Sequence, residues 1–223
     1  LSYLRGVKEN TTILFGAMNT AGGSLKWFRD ALYGGETPQN DAYPRINKEI
    51  EAGAKNPTGL IFLPYMAGER APIWDPNARG TFMGLNMNTT RAEMLRAVME
   101  GTSFALQDNL DQAIKTGIPI RDFICCGGCS KSDIWLKIKA SVIGQEIKIP
   151  SVNLGAPGGL GYMNAAFMGE YKTPEDASRA ALQIKKIVEP VEEWIPIYKE
   201  LYQIYLDSYQ SLKSQFAALA QIK

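Results

Sequence analysis

The sequence contains no histidine. That absence removes Ser-His-Asp and Cys-His nucleophilic chemistry, and His-ligated zinc, from what these 223 residues can do by themselves. Any general base within the chain has to be a carboxylate. An excess of one charge is also missing. Lys plus Arg number 24 against 23 Asp plus Glu, and a net charge of +1 gives no electrostatic basis for binding nucleic acid or an anionic membrane. No apolar run approaches the ~18 residues of a membrane span, and Leu1-Ser-Tyr-Leu-Arg-Gly6 lacks the pattern of a signal peptide. The expected location is therefore cytoplasmic. Leu1 is an unusual natural start, so the chain reads as a piece of a longer protein.

Cysteine is scarce. The three present, Cys125, Cys126 and Cys129, sit together in Ile124-Cys-Cys-Gly-Gly-Cys-Ser130. An odd, clustered set does not make a secreted disulfide framework, and three thiols without a fourth ligand make a poor zinc site. A redox reading would use the Cys126-x-x-Cys129 pair. The simpler reading is of small, reduced, buried residues at a strand end beside glycines.

Apolar residues make up 45% and charged residues 21%, an ordinary soluble composition in a chain long enough to bury a core. Strand and helix signals alternate along it, which predicts an α/β domain spanning residues 1–223. Thr11–Ala17 and Gly59–Pro64 read as strands. Ser24 is placed to cap a helix over Leu25–Tyr33 that stops at Gly34-Gly35. Residues 36–58, broken by Pro38, Pro44 and Pro57, read as a variable surface connection with one helix near Ile46–Lys55. Thr90-x-x-Glu93 is a capping box opening a long, centrally buried helix to about Thr116.

A strand over Phe123–Cys126 leads through Gly127-Gly128 to a helix over Asp133–Ile143, with Ser130 as its expected cap and Gly144 as its stop. Glu146–Ile149 reads as a strand, Gly155–Gly161 as a glycine-rich lead into a helix near Tyr162–Met168, and Thr173-Pro174 as a helix start. The final helix occupies residues 194–221. An apolar stripe through Leu201, Tyr205, Leu212 and Phe216 docks it on the domain, with Tyr198, Tyr202, Tyr205 and Tyr209 read as amphipathic surface.

The densest pattern is Gly80-Thr-Phe-Met-Gly-Leu-Asn-Met-Asn-Thr-Thr-Arg-Ala-Glu-Met-Leu-Arg-Ala-Val-Met-Glu100. Its spacing is Gly-x-aromatic-x-Gly-aliphatic, seven residues, then Glu-apolar-x-x-Ala-apolar-apolar-acidic, and it resembles the second signature of the FGGY carbohydrate kinases. Met18-Asn-Thr-Ala-Gly-Gly-Ser-Leu-Lys-Trp-Phe-Arg-Asp30, the segment Gly68-Glu-Arg-Ala-Pro to Asp75-Pro-Asn-Ala-Arg-Gly80, and Gly127-Gly-x-x-x-Ser-x-x-Trp135 match that family in the same order, in its xylulokinase-like branch. The resemblance runs from about residue 15 to 170.

It implies an RNase H-like lobe of the actin, heat-shock-protein and sugar-kinase ATPase class, one of two lobes in a kinase. The complete enzyme would move the γ-phosphoryl group of ATP, with Mg2+, to a sugar or polyol hydroxyl. Xylulose is the first expectation and gluconate or another polyol the alternative. By position the resemblance places adenosine contacts at Gly127, Gly128, Cys129 and Ser132. Independently of it, two glycines at a strand end let a ligand approach the backbone, and the helix that follows offers its positive end to an anion. The same pair can equally be a tight strand-to-helix turn.

Glu69 and Arg70 are candidate cleft residues that touch phosphate or sugar, or else a structural ion pair holding their loop. No catalytic residue and no metal ligand is assigned within the chain. The base is expected from the family's first lobe, and the chain alone is expected not to turn over. A non-catalytic actin-like nucleotide-binding or oligomerisation module is the rival reading, and a homodimer stays open as an assembly state.

Overall fold

Helix α3 (Arg91–Ile114) is the axis of the structure, and its own sequence explains both its start and its burial. The computed structural model describes residues 1–6, 9–33, 39–152 and 155–222. Thr90 caps α3: its hydroxyl accepts from the Glu93 amide at 3.2 Å, and the Glu93 carboxylate accepts from the Thr90 amide at 2.7 Å. From Leu95 to Ala105 every residue is buried. A helix with no exposed face over three turns needs partners all round. Those partners are α1 (Ala21–Tyr33), α2 (Gln39–Gly53), α4 (Asp133–Ile143), α7 (Trp194–Ala220) and strand β3 (Ile61–Leu63).

The described strands form three two-stranded antiparallel sheets. β1 (Ser2–Arg5) pairs with β2 (Thr12–Phe15), and β3 pairs with β4 (Thr81–Met83). β5 (Ile147–Pro150) pairs with β6 (Ile184–Val188). Phe62 and Phe82 face each other in the β3–β4 register, with their rings 4.6 Å apart. α3 crosses β3 at Gly101, where a Cβ would stand 2.1 Å from the Phe62 carbonyl oxygen, so only glycine permits this approach. A second, smaller core gathers Leu136 and Ala140 of α4 with Ile147, Ile149 and Val188 of the β5–β6 pair. Helices α5 (Gly155–Phe167) and α6 (Pro174–Ala181) pack on each other. Among the described residues no helix is long and apolar enough to cross a membrane.

An ion pair lies at the centre of the main core. Arg96 and Glu100, one turn apart on α3, are 0% and 1% exposed, with Nε to Oε1 at 2.7 Å. The remaining guanidinium donors reach the carbonyls of Ala54 at 3.0 Å and Lys55 at 2.7 Å, and the Tyr198 hydroxyl at 2.7 Å. That hydroxyl donates in turn to Glu100 Oε1 at 2.8 Å, and the Trp194 ring covers the guanidinium at 4.3 Å. Burial pushes the Glu100 carboxyl up from its ordinary value, and Arg96 opposes that shift.

Several local expectations are corrected. Ser24 lies inside α1, not at its start, and its hydroxyl donates to the Thr20 carbonyl one turn back. The Gly34-Gly35 stop and Pro38 lie outside the described residues. The helix expected near Ile46–Lys55 is present as α2 but begins earlier, at Gln39, and takes in Pro44. Ala42, Ile46 and Ile50 recur one turn apart on a single buried face, and that packing holds the helix against the proline. Phe123–Cys126 does not form a full strand. It makes one parallel bridge, Ile124 to Lys148, with Cys125 N to Lys148 O at 3.0 Å and Lys148 N to Phe123 O at 2.8 Å.

Further along, α5 takes in the glycines from Gly155 onward instead of following them. β1 and β6 carry no sequence expectation. The tyrosines of α7 are not surface residues. Tyr198, Tyr205 and Tyr209 are buried because each hydroxyl finds a partner: Glu100 and Arg96, Tyr65 at 2.6 Å, and Asp75 at 2.9 Å. Tyr202 donates to Asp111 at 2.7 Å, and Asp108, on the same helix, is buried.

Replacing Arg96 with Met should lower unfolding stability by about 3–5 kcal/mol, because Glu100 and the Ala54 carbonyl then stay buried without their donor. Urea unfolding of the variant beside the parent checks this.

Candidate functional site

The chain leaves the Ile124–Lys148 bridge and turns sharply at Gly127, whose φ of 84° and ψ of −165° suit glycine alone among the amino acids. A single 3-10 turn over Gly128–Lys131 follows, and α4 begins at Asp133. Ser132 caps α4, accepting from the Trp135 amide at 3.3 Å. The expected cap, Ser130, turns the other way and donates to the Gly127 carbonyl at 2.7 Å. The 3-10 turn accounts for the change, because it delays the helix start until Ser132 holds extended backbone angles. Ser132 also donates to Asn47 Oδ1 at 2.8 Å, joining the start of α4 to α2.

This turn forms one wall of a cavity of about 670 Å³. Gly128, Cys129 and Ser132 all line it, while Gly127 sits just behind them in the chain. A Cβ at Gly128 would meet no protein atom within 4 Å, so the exposed backbone there faces free space that a ligand can occupy. The opposite walls come from the first turn of α1 (Ala21 and Gly22), from Arg29, and from Tyr43, Pro44 and Asn47 of α2. The starts of α1 and α4 thus both border the cavity, and each carries the partial positive charge of a helix N-terminus.

The cavity's side chains add to that sign. Arg29, Lys131 and Lys139 line it, and no carboxylate does among the described residues. Arg29 is held by Asp30 (Nε to Oδ1 at 2.7 Å) and by the Tyr43 hydroxyl at 3.1 Å, and it also lies 5.2 Å from the Tyr43 ring centroid. Lys139 Nζ stands 5.0 Å from the Trp135 ring centroid. Two flat rings, several cations and accessible backbone suit a planar, anionic ligand.

Glu69 and Arg70 are not among the residues lining this cavity. They belong to a loop closed by reciprocal backbone bonds between Glu69 and Asp75, both 2.9 Å, and by Tyr209 on Asp75. Glu69 is 3% exposed. Its Oε1 accepts from the amides of Asn19 and Arg70, both at 2.7 Å, while Oε2 is buried without a hydrogen-bond partner. Arg70 donates to Asn19 Oδ1 at 2.8 Å. Among the described residues the two form no salt bridge with each other, so the ion-pair alternative gives way to a shared grip on Asn19.

Sequence reasoning missed the α1 and α2 walls. Arg29 lay within a quoted family segment and was within reach, whereas Tyr43 and Asn47 sit in a stretch read as surface connection.

Comparison with known proteins gives this architecture a family. Residues 4–170 match the profile of the FGGY family of carbohydrate kinases, C-terminal domain. The chain belongs to that family, and its fold is the α/β, RNase H-like ATPase lobe of those enzymes. A xylulose kinase of Staphylococcus epidermidis is 29% identical over 213 residues, which are 96% of this chain and 42% of that protein. The ligand-bound xylulose kinase of Lactobacillus acidophilus superposes with a TM-score of 0.83 at 28% identity, covering 98% of this chain and 44% of the other. Gluconate kinase of the same organism gives 0.77 at 29%, covering 92% and 40%. The chain thus spans less than half the length of these relatives.

Burial raises the Glu69 carboxyl above its ordinary value of 4.5, and the two amides only partly offset this. The folded protein therefore holds the Glu69 proton more tightly than the unfolded chain does. Stability from this group is full below the unfolded value and is lost as pH rises through the folded one. Glu69→Gln keeps the Oε1 acceptor and removes the titration. The variant's urea midpoint relative to the parent should be higher at pH 7 than at pH 4.5, and an equal difference at both would refute the assignment.

Proposed function

We propose that the cavity beside the Gly127-Gly128 turn is the adenosine site of an ATP-binding lobe, and that the whole protein is a cytoplasmic carbohydrate kinase. The reaction proposed is transfer of the ATP γ-phosphoryl group to a sugar or polyol hydroxyl. Xylulose is the first candidate acceptor and gluconate the second, following the relatives that share most of this chain. The observation that carries the reading is the open backbone of Gly128 on a cavity walled by cations, two aromatic rings and two helix starts. A purine can lie against the rings, and its phosphates can face the lysines and the helix termini.

The division of labour follows from what lines the cavity. With no carboxylate among its described lining residues, this site can bind and orient a nucleotide, but it offers no base to deprotonate an acceptor hydroxyl. Mg2+ supplies charge neutralisation at the phosphates in such transfers. Among the described residues no three Cys, Asp or Glu side chains converge to hold a metal ion. Mg2+ is proposed to arrive on the nucleotide.

Titration of the chain with Mg-ADP tests the site. Binding should be saturable and should weaken by about tenfold or more in Gly128→Asp, whose side chain would fill the approach position and repel phosphate. Because a Cβ at Gly128 meets nothing in the protein, the variant's circular dichroism and thermal midpoint should stay close to the parent's. Unchanged ADP affinity in Gly128→Asp would overturn the site assignment.

A further inference from the structure

The three cysteines do not pair as their spacing suggests. Cys129 Sγ lies 3.5 Å from Cys125 Sγ, while toward Cys126 it reaches only the backbone carbonyl, at 3.7 Å. Cys126 is exposed; Cys125 and Cys129 are half-buried on either side of the Gly127-Gly128 turn. Cys125 packs against the small core around Leu136 and Ile147, and Cys129 packs against the main core. Cys129 also faces the cavity, so a small solute can reach it.

We propose that Cys125 and Cys129 form an oxidisable dithiol, with Cys129 on the cavity wall and Cys125 behind it, which a hydroperoxide converts to an intramolecular disulfide. The geometry favours this pair over the other two. A disulfide needs sulfurs about 2.05 Å apart, and these two are already in contact, so closing the gap takes a shift of roughly 1.5 Å. The intervening glycines can supply it, since neither would bring a Cβ within 4 Å of another residue's atoms.

The reactivity of the two sulfurs differs in a useful way. The Cys125 thiol and the nearby Lys139 ammonium hold the Cys129 thiol well below the ordinary range, so it is the nucleophile. The same contact, with burial, holds Cys125 well above that range, so it keeps its proton until the second step. In the first step the Cys129 thiolate attacks one peroxide oxygen and the O–O bond breaks, giving Cys129 sulfenic acid and hydroxide. In the second, Cys125 sulfur attacks the sulfenic sulfur. The S–S bond forms, the S–O bond breaks, and water leaves with the Cys125 proton. Two electrons pass from the sulfurs to hydrogen peroxide, which ends as two waters.

Because Cys129 lines the cavity, the bond should also alter nucleotide affinity, a consequence that rests on the adenosine reading above. Both parts are tested on the intact chain treated with hydrogen peroxide, then alkylated with iodoacetamide. Trypsin cleavage after Arg121 and Lys131 yields one peptide, Asp122–Lys131, that carries all three cysteines. The expected peptide bears a single alkyl group, on Cys126, and an internal disulfide that dithiothreitol opens. Cys126→Ser should still form the bond, and Cys125→Ser should stop at oxidised Cys129 acids.

Alkylation of Cys125 with a Cys126–Cys129 bond would overturn the pairing. Three alkylated cysteines, or disulfide-linked dimers in place of the internal bond, would overturn the dithiol itself. In the second part, the oxidised chain should bind Mg-ADP about tenfold more weakly than the reduced chain, with recovery on reduction. Equal affinities in a chain that does bind ADP would overturn the coupling. A reduced chain that binds no ADP would instead refute the nucleotide reading and leave the disulfide result standing.

Discussion

The structure depends on two charges that water cannot reach. Arg96 and Glu100 sit one turn apart in the most buried part of α3, and each would be prohibitively costly there without the other. The pair alone does not satisfy a guanidinium with five donors, so the surrounding chain has to supply acceptors at fixed positions. The carbonyls of Ala54 and Lys55 come from the two residues that follow α2, and the Tyr198 hydroxyl comes from α7. An ion pair of this kind adds little net stability compared with an apolar core of the same volume. What it fixes here is placement: α2 and α7 can dock on α3 only where their polar groups meet the network. Since α2 also forms a wall of the cavity, the position of that wall relative to α3 is set from the core.

Helix α7 follows the same logic along its length. Its inward face carries hydroxyls that each end on a different partner: Glu100 of α3, Tyr65 after β3, Asp75 in the closed loop, and Asp111 near the end of α3. The hydrogen bonds make docking directional where purely apolar packing would allow sliding. Through Asp75 this helix also steadies the loop that presents Glu69 and Arg70.

Much of the local structure was legible because its signals are local. The Thr90–Glu93 box, the Thr173-Pro174 start and the Gly144 stop each act within one turn of chain, so the sequence order carries them. Ser130 and Ser132 show the limit of that method. Both are good caps, and only the 3-10 turn between Gly128 and Lys131 decides which one serves. Contacts between distant residues were not legible. Nothing near Arg96 in sequence says that Tyr198, 102 residues away, will meet it. Nothing near Asn47 says that it will meet Ser132, 85 residues away. The glycine turn of the candidate site was readable because chemistry and family resemblance coincide there; the far wall was not, since the prolines suggested loop up to Ile46, whereas α2 begins at Gln39 and brings Tyr43 and Pro44 to the cavity. Cysteine spacing suggested Cys126 and Cys129, whereas the turn geometry brings Cys125 to Cys129.

The hydroxyl of Ser132 has one hydrogen and two lone pairs. The hydrogen is committed to Asn47 and one lone pair to the Trp135 amide, both through bonds that hold helices in place. What remains on this cavity-lining residue is a single acceptor. A phosphate oxygen has nothing to offer it, while a ribose hydroxyl or an exocyclic amine does. On the adenosine reading proposed above, the Ser132 hydroxyl itself would therefore accept from the nucleoside, which leaves the phosphates to the backbone amides and the lysines.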